Sequence, residues 1–304
     1  MSEVNSNGVG YIDGRYCPRS ELSIPISDLG FLLGDTTYDA LHVHEGSFFR
    51  LDDHLERFES SMQRRGFTSV GLNREQMVDV LNECVRRSQF REAMVMMIVT
   101  RGDPSGSSKD LRTCKNRFIA WAAPYYNIVS DEQMENGLPI IVSKVQRIPP
   151  ESVDPTVKNF GRLDFCDALM EAYGRGCDHA VLLNAQGEVT EGRGWNIFTY
   201  RNGELISPRA GVLEGITRRT IIELAERGNL KARTGRISEV DLKQAEEVFI
   251  TSSAGGVMPV TRIDDIPIGD GSPGPVTRRL EALYWASHAD PAFSTPISYE
   301  AESA

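Results

Sequence analysis

Short runs of alternating apolar and polar residues fill the first fifty positions of the chain. The runs GYI and RYC flank Asp13-Gly14, and the runs LHVH and SFFRL flank Glu45-Gly46. A glycine after an acidic residue suits the tight turn between two antiparallel strands. The pattern therefore predicts antiparallel hairpins within residues 8–50.

After position 51 the apolar residues recur at helical spacing, and the chain later returns to short apolar runs. Leu55, Phe58 and Met62 share one face of the first predicted helix, which Gly66 ends. The elements predicted up to position 123 are a helix from a cap at Asp52 to about Arg65, a helix opened by the capping-box pair Asn73 and Gln76, and strands over 93–100 and 117–123 around a loop over 102–116.

Residues 125–136 are polar and irregular, and they lie between two strand signals. We place a boundary there, which predicts a small N-terminal domain over 1–124, a linker over 125–136 and a larger C-terminal domain over 137–304. The tail after Pro291 is expected to be loose. The elements predicted in this second part are strands over 138–146, 179–184, 196–200, 230–236 and 246–251, and helices from about 163, over 215–228 and over 275–288. Both halves are expected to be α+β with mostly antiparallel strands.

The composition is that of a globular chain, since 25% of the 304 residues are charged and 40% are hydrophobic. The net charge of −10 argues against nucleic acid or an anionic membrane surface as a partner. Five cysteines without a C-x-x-C pair indicate free thiols in a reducing compartment. The chain has no signal-peptide pattern and no apolar run long enough to cross a bilayer, so we expect a cytoplasmic protein.

Familiar hydrolytic, zinc-protease and P-loop motifs are missing from the sequence. His42 and His44 fall on one face of a predicted strand, and such a pair can hold a metal ion. The sequence places no cysteine or carboxylate at ligand spacing beside them. We therefore expect polar side chains on a half-exposed strand and no metal.

Two segments of the second half could bind a phosphate or approach a ligand closely. VLEGITRRT places Gly215, Ile216 and Thr217 where a loop becomes a helix, and the free N–H groups at a helix start attract anions. TSSAGGVMPV ends a strand in small residues, which let a ligand approach the backbone. Taken alone, VLEGITRRT is a weak signal, because many helices begin in this way as a plain cap, and TSSAGGVMPV is better interpreted as a tight turn. A single lysine or glutamate, such as Lys158 or Glu191, is most often a solvated charge.

Taken together and in this order, DPTVKNF, TEGRGWNIF, VLEGITRRT and TSSAGGVMPV resemble the fold-type IV pyridoxal-phosphate enzymes. This family contains branched-chain and D-amino-acid aminotransferases, aminodeoxychorismate lyase and (R)-selective amine transaminases. REAMVMMIVTRG, RIPPESVDPTVKNF and DGSPGPVTRRLEALYW look closest to the amine transaminases. The resemblance covers about residues 8–288. It implies a two-domain α+β fold, with a small α/β N-terminal domain and a mostly antiparallel, β-barrel-like core in the larger C-terminal domain.

The resemblance also implies a role for individual residues. Lys158 matches the lysine that forms an aldimine with pyridoxal 5'-phosphate and moves the substrate proton, and Glu191 matches the carboxylate that pairs with the pyridine nitrogen. Arg57 matches the arginine that binds the cofactor phosphate. The other residues implied to bind the cofactor are Leu213 against the ring and Gly215, Ile216, Thr217 and Ser253 at the phosphate. A homodimer is implied, in which residues 33–42 complete the partner's site.

Substrate choice depends on pocket positions where the sequence departs from its relatives. Leu33 stands where several amine transaminases carry a polar residue, and Arg162 replaces a family tryptophan. His42 falls where branched-chain enzymes place an arginine. Either Arg162 or Arg112 could anchor a substrate carboxylate, or Arg162 could turn to solvent or pair with Asp164. The full set of pocket residues implied by the resemblance is Leu33, Tyr38, Ala40, His42, Arg112, Arg162, Trp195 and Ala254.

The leading hypothesis is a transaminase that moves an amino group in two stages between a primary amine, (R)-configured, and a keto acid such as pyruvate. The first alternative is an aminotransferase for D-amino acids or branched-chain L-amino acids. The second is a lyase of the aminodeoxychorismate type, which would use the same lysine without an amino acceptor.

Overall fold

The computed structural model of the chain describes residues 7–68, 70–106 and 110–300. The chain divides into two compact units. The first unit contains the described residues of 1–126, 157–161 and 288–304, and the second contains residues 127–156 and 162–287. The division therefore does not follow the order of the chain, because two short segments from the second half belong to the first unit.

Among its described residues the first unit contains a sheet of seven strands, in the order β16-β4-β3-β5-β6-β1-β2, and every neighbouring pair is antiparallel. Its elements are β1 (Val9–Ile12), β2 (Arg15–Pro18), α1 (Leu29–Leu33), β3 (Thr36–His44), β4 (Ser47–Phe49), α2 (Leu51–Arg65), α3 (Arg74–Ser88), β5 (Ala93–Asp103), β6 (Lys115–Pro124) and, from the end of the chain, β16 (Ser294–Pro296). The loop predicted over 102–116 is shorter than expected, and its positions 107–109 lie outside the described residues.

Both predicted hairpin turns of the first unit are confirmed. Asp13 and Gly14 have φ angles of 49° and 81°, and Glu45 and Gly46 have φ angles of 48° and 82°. Two successive positive φ angles match the right-handed twist of the strands that the turn connects, which is why glycine is favoured at the second position. The turns join β1 to β2 and β3 to β4.

The helices α2 and α3 contribute to the core of the first unit, as their apolar spacing predicts. Leu55, Phe58 and Met62 of α2 are buried in one core cluster with residues of the sheet and of α3. The capping box at the start of α3 is confirmed, and Gly66 ends α2 in the left-handed conformation. The predicted cap at Asp52 was wrong, because α2 begins at Leu51 and its N-cap is Arg50, two residues before the predicted cap.

The second unit contains nine strands and the remaining helices. Its elements are α4 (Asp131–Asn136), β7 (Leu138–Gln146), α5 (Leu163–Gly174), β8 (Ala180–Leu183), β9 (Val189–Gly192), β10 (Asn196–Arg201), β11 (Glu204–Pro208), α6 (Ile216–Arg227), β12 (Lys231–Gly235), α7 (Glu239–Lys243), β13 (Glu247–Ser252), β14 (Gly256–Ile263), β15 (Ile266–Pro267) and α8 (Pro275–Ala286). The strand order is β12-β11-β10-β13-β14-β7-β8-β9, with β15 paired to β14.

A short connection shows that this second sheet curls on itself. The strand β9 ends the sheet, whereas β10 lies third from the opposite end. Only residues 193–195 separate β9 from β10, and Gly192 forms an isolated bridge with Trp195. Three residues cannot cross a flat sheet of this width, since an extended chain spans about 3.3–3.6 Å per residue. The sheet is therefore barrel-like, as the resemblance implied.

Two segments that the sequence presented as irregular are ordered. Residues 131–136 form α4, which has a capping box between Ser130 and Gln133. The prediction of a loose tail after Pro291 was wrong, because this segment contains β16, which pairs with β4. Ile297, which follows β16, is buried in the core of the first unit. Among the described residues, no helix is both long and apolar enough to span a bilayer.

Candidate active site

Lys158 lies on the segment Val157–Gly161, which is attached to the start of β3. Its carbonyl oxygen accepts hydrogen bonds from the Tyr38 N–H (3.1 Å) and the Thr37 hydroxyl (2.8 Å). Its own N–H donates to the Ser61 hydroxyl at 3.4 Å. These bonds hold the backbone of the lysine, and they explain why a segment from the second half of the chain belongs to the first unit.

The amino group of Lys158 faces an aromatic wall. Its Nζ lies 4.7 Å from the ring centroid of Tyr38, and Phe160 stacks on the same ring with centroids 4.5 Å apart. Side chains alternate between the two faces of a strand, so Ala40 shares the face of β3 with Tyr38. The structure thus brings one predicted pocket residue, Tyr38, directly to Lys158.

Arg57, the predicted phosphate ligand, lies on α2 and is held by a buried carboxylate. Its Nε and Nη2 donate to the two oxygens of Asp39 at 2.8 and 2.7 Å, and His54 Nδ1 lies 2.8 Å from Asp39 Oδ1. Burial alone would raise the pKa of Asp39, but attraction to Arg57 and His54 outweighs it and holds that pKa far below its usual range. Asp39 therefore fixes the orientation of Arg57, a contact that sequence reasoning missed.

Glu191 lies on β9 in the second unit and is buried. Its Oε1 accepts from Arg147 (3.2 Å), and its Oε2 accepts from the Asn196 amide (3.1 Å) and the Leu213 N–H (2.9 Å). Burial raises the pKa of Glu191 above its ordinary value, while the nearby Arg147 and the Leu213 N–H oppose that rise. The curl of the sheet between β9 and β10 places Asn196 beside Glu191.

Arg147 is a further charged residue of this site that the sequence did not reveal. Its Nη1 donates to Asp164 Oδ2 at 2.6 Å, and its guanidinium stacks over the ring of Phe165 at 4.4 Å. The same guanidinium reaches Glu191 through Nη2. Arg147 thereby ties the start of α5 to β9 and places a positive charge beside the Glu191 carboxylate.

The start of α6 has the features predicted for anion binding. Gly215 is the N-cap and no side chain caps the helix, so the N–H groups of Ile216 and Thr217 have no acceptor within the helix. A Cβ atom at Gly215 would lie 2.0 Å from Asn196 Oδ1. Glycine is therefore required at this cap by the close approach of Asn196, which itself holds Glu191.

The buried hydroxyl of Thr251 shows whether the residues around Glu191 and α6 fit a polar cofactor. Thr251 pairs with Asn196 across β13 and β10, which places both side chains on one face of the sheet. Thr251 Oγ1 is buried and has no hydrogen-bond partner among the described residues. Buried hydroxyls nearly always have a partner. With the uncapped start of α6 and the buried Glu191, this donor set fits a ligand such as pyridoxal phosphate, and Ser253 follows in the next turn.

The remaining predicted pocket residues differ in their exposure to solvent. Leu33 ends α1 and is 64% exposed, whereas Trp195 and Ala254 are buried. The expectation of a half-exposed His42 was wrong, because only 1% of this residue is exposed. The side chain of Arg112 is 89% exposed and forms an ion pair with Asp110.

Arg162 is the N-cap residue of α5 and is half-buried. The two oxygens of Asp164 accept hydrogen bonds from Arg147 and from the N–H groups of Ile148 and Phe165. The charge of Arg162 also acts on Glu191, where it opposes the rise that burial causes in the pKa of that carboxyl. Arg162 therefore belongs to the electrostatic surroundings of Glu191.

The sequence profile of the family described as amino-transferase class IV matches residues 36–263, which is most of the chain. The chain belongs to the class IV aminotransferases. This membership confirms three predictions: the fold-type IV architecture, the transaminase activity and pyridoxal 5'-phosphate as the cofactor.

Named relatives of this aminotransferase differ in substrate. It is 31% identical, over 90% of the chain and 94% of the relative, to a protein of Methanocaldococcus jannaschii assigned as a branched-chain-amino-acid aminotransferase. It is 27% identical to D-alanine aminotransferase of Bacillus licheniformis, over 88% of the chain and 93% of that enzyme. It spans about half the length of two branched-chain-amino-acid aminotransferase-like proteins of Arabidopsis thaliana.

A solved structure shows the same fold. The branched-chain aminotransferase of the thermophilic archaeon Thermoproteus uzoniensis, solved with norvaline, has a TM-score of 0.88 and 26% identity, over 96% of this chain and 100% of that one.

Proposed function

We propose that this aminotransferase moves an amino group between a primary amine, in the (R) configuration, and a keto acid such as pyruvate. The observation that carries the proposal is the aromatic wall of Tyr38 and Phe160 at Lys158. This wall offers an apolar surface to the group that the amine carries. The same strand face continues with Ala40, not with a guanidinium that would require a carboxylate, and His42 further along is buried against Tyr125.

The chemistry needs an amine at one end of the cofactor and a carboxylate at the pyridine end. When bound, pyridoxal phosphate accepts the amino group and the electrons left by the departing proton of the substrate. Lys158 Nζ would hold the cofactor until the substrate amine displaces it, and the freed amine would then move that proton between two carbon atoms. Glu191 would accept a hydrogen bond from the protonated ring nitrogen, and Arg147 beside it opposes the rise that burial causes in the pKa of Glu191.

The phosphate requires positive charge and N–H donors. In this proposal, which follows the family resemblance, Arg57 would supply a guanidinium whose orientation Asp39 fixes. The N–H groups of Ile216 and Thr217 at the start of α6 would be further donors. Leu213 would pack against the ring in this proposal, while its N–H donates to Glu191.

We further propose a homodimer in the cytoplasm. Apolar side chains around α1 are unusually exposed, and such a patch favours association with a second copy. The exposed fractions are 74% for Ile26, 59% for Phe31, 55% for Leu32 and 64% for Leu33. All five cysteines are free thiols, which fits a reducing compartment. Light scattering during size exclusion should give twice the chain mass, and a single-chain mass would contradict the dimer.

The experiment that tests the substrate follows the visible absorbance of the lysine-bound cofactor. Adding (R)-1-phenylethylamine to the holoenzyme should bleach the band and release acetophenone, with pyruvate restoring the band. The (S) enantiomer is the matched control and should act far more slowly. Lys158→Ala should show neither the band nor turnover. If only D-alanine or L-leucine bleaches the wild-type band, the amine proposal is wrong and the enzyme is an amino-acid aminotransferase.

An amino-acid substrate is the second candidate, and it is favoured by the named relatives and by Arg162 beside Glu191. If Arg162 binds the substrate carboxylate, Arg162→Ala should lower kcat/KM for keto acids about 10- to 100-fold, since a hydrogen bond to a charged group contributes about 1.5–3 kcal/mol. Simple ketones should be affected much less. Arg112→Ala is the matched control, because Arg112 is exposed and bound to Asp110. An equal loss for keto acids and ketones would exclude a carboxylate anchor at Arg162.

A further inference from the structure

Three side chains of metal-ligating type converge at the hairpin end of β3. His42 and His44 lie on this strand, and Glu92 precedes β5. Sequence reasoning did not find Glu92, because fifty residues separate it from His42. Lys158 is bonded near the opposite end of β3, and along an extended strand Tyr38 is about 13 Å from His42 and about 20 Å from His44. The cluster is therefore distinct from the surroundings of Lys158.

The ligand atoms have the spacing of a coordination sphere. Glu92 Oε2 lies 3.5 Å from His42 Nε2 and 3.1 Å from His44 Nδ1, and the three atoms all lie within 4.8 Å of one another. Ligands bound tetrahedrally at zinc distances of about 2.0–2.1 Å are separated by about 3.3 Å. Only a small adjustment of His42 and His44 would be needed to close this sphere around an ion.

Neighbouring groups hold these ligands in position. The second oxygen of Glu92 accepts the Glu45 N–H at 2.7 Å, which directs Oε2 toward the histidines. His42 Nδ1 lies 3.3 Å from His288 Nε2, so the ring nitrogen that faces away from Glu92 also has a partner. Histidines that bind metals are usually fixed in this way through their second nitrogen. Tyr125 stacks on the His42 ring at 4.1 Å.

The exposure of the cluster suits an ion that enters from solvent. His42 is buried, whereas the side chains of His44 and Glu92 are 32% and 48% exposed. Two imidazoles and one carboxylate form a donor set that zinc and neighbouring transition metals accept, with water in a fourth position.

We propose that His42 Nε2, His44 Nδ1 and the Glu92 carboxylate bind one divalent transition-metal ion, with Zn²⁺ as the representative ion. The site leaves one coordination position open to water. It requires no change in the cofactor chemistry at Lys158.

Metal titration of the holoenzyme tests this site. The parent protein carries Cys166→Ser, which removes the exposed thiol as a competing zinc ligand, and is dialysed against a chelator. Calorimetry with Zn²⁺ should then give one site per chain, and Co²⁺ should give the visible bands of a tetrahedral ion. Glu92→Gln and His44→Ala should each weaken Zn²⁺ binding at least about tenfold. The matched control is Glu45→Gln, an exposed change in the same hairpin that keeps the backbone N–H, and it should bind like the parent.

Thermal unfolding separates loss of the site from loss of the fold. Zn²⁺ should raise Tm in the parent and in Glu45→Gln, because a ligand that binds only the folded state stabilises it. Glu92→Gln and His44→Ala should unfold cooperatively without metal, retain the visible band of the lysine-bound cofactor and show no rise in Tm. The proposal is overturned if the parent binds no Zn²⁺ saturably, or if the two ligand variants bind it as tightly as the parent.

Discussion

Asp39 is a completely buried carboxylate, and both of its oxygens are used by Arg57, with His54 on one of them. Because the guanidinium is planar, this paired contact fixes its direction as well as its charge. The orientation of the predicted phosphate ligand thus depends on a residue on β3, eighteen positions earlier in the chain.

Asp39→Asn should weaken cofactor binding and destabilise the protein. At neutral pH we expect a loss of about 3 kcal/mol, since removing one partner of a buried ion pair leaves the other uncompensated. The pKa of Asp39 is lowered in the folded state, so its contribution is present above the unfolded value of about 3.9 and is lost as the pH falls further. Urea unfolding from pH 7 to pH 3 and cofactor dissociation measure both effects.

Asp52→Asn is the control for this change, because Asp52 lies on the same helix as Arg57 with a side chain that is 81% exposed. It should leave both measurements nearly unchanged. Cofactor affinity of wild-type strength in Asp39→Asn would show that Arg57 needs no positioning by Asp39.

Glu191→Gln tests whether Glu191 pairs with the ring nitrogen of the cofactor. The amide keeps the shape of the side chain but cannot stabilise a positive charge, and Arg147 retains Asp164 as a partner. We expect the cofactor to stay bound while kcat falls about 100-fold or more, the usual effect of removing an electrostatic group that acts on the reacting centre. Glu188→Gln is the control, since Glu188 precedes β9 and forms an ion pair with Arg236. Wild-type turnover in Glu191→Gln would contradict the assignment.

Among the elements, the helix α3 was predictable because its signals are local. Asn73 and Gln76 bond each other's backbone N–H groups at 2.9 Å, as their spacing predicts. The apolar face of the same helix, including Leu81 and Val85, is completely buried. The helix α2 shows the limit of such signals, because Asp52 looks like a cap while the structure uses Arg50.

Asn73→Ala should lower the free energy of unfolding by about 1 kcal/mol, the typical contribution of an N-cap side chain. Chemical denaturation measures the loss. Asn73→Ser is the matched control, because serine also accepts the bond from a backbone N–H and should retain most of the stability. Equal losses in both variants would indicate that the cap bond contributes nothing here.

Across the molecule as a whole, segments distant in sequence complete the first unit. Residues 294–296 add β16 to the edge of the sheet, Ile297 enters the core, and the Tyr299 hydroxyl donates to the Phe90 carbonyl at 2.7 Å. The segment with Lys158 likewise returns to β3. The order of the chain therefore does not reveal which residues share a core.

Ile297→Ala should destabilise the protein by about 2–4 kcal/mol, because truncating a buried isoleucine removes apolar burial and leaves a cavity. Ile266→Ala is the control, since Ile266 is 43% exposed. Thermal or urea unfolding compares the two. If the variants lose the same stability, the tail does not contribute to the core as its burial indicates.

Features that depend on near neighbours could be predicted from the order of residues alone. Turns at Asp13-Gly14 and Glu45-Gly46, the capping box of α3 and the amphipathic faces all follow from steric limits and hydrogen bonds within a few residues. The family and its cofactor were also predictable, because four short motifs carry that resemblance.

The meeting of distant charges could not be predicted in this way. Strand pairing and the curl of the second sheet bring these groups together. The pairs are Asp39 with Arg57, Arg147 with Glu191, and Glu92 with the two histidines. An isolated carboxylate or guanidinium in a sequence is interpreted as a solvated charge, because its partner lies many residues away. Burial and Coulomb attraction depend on distances in space, and the fold alone sets these distances.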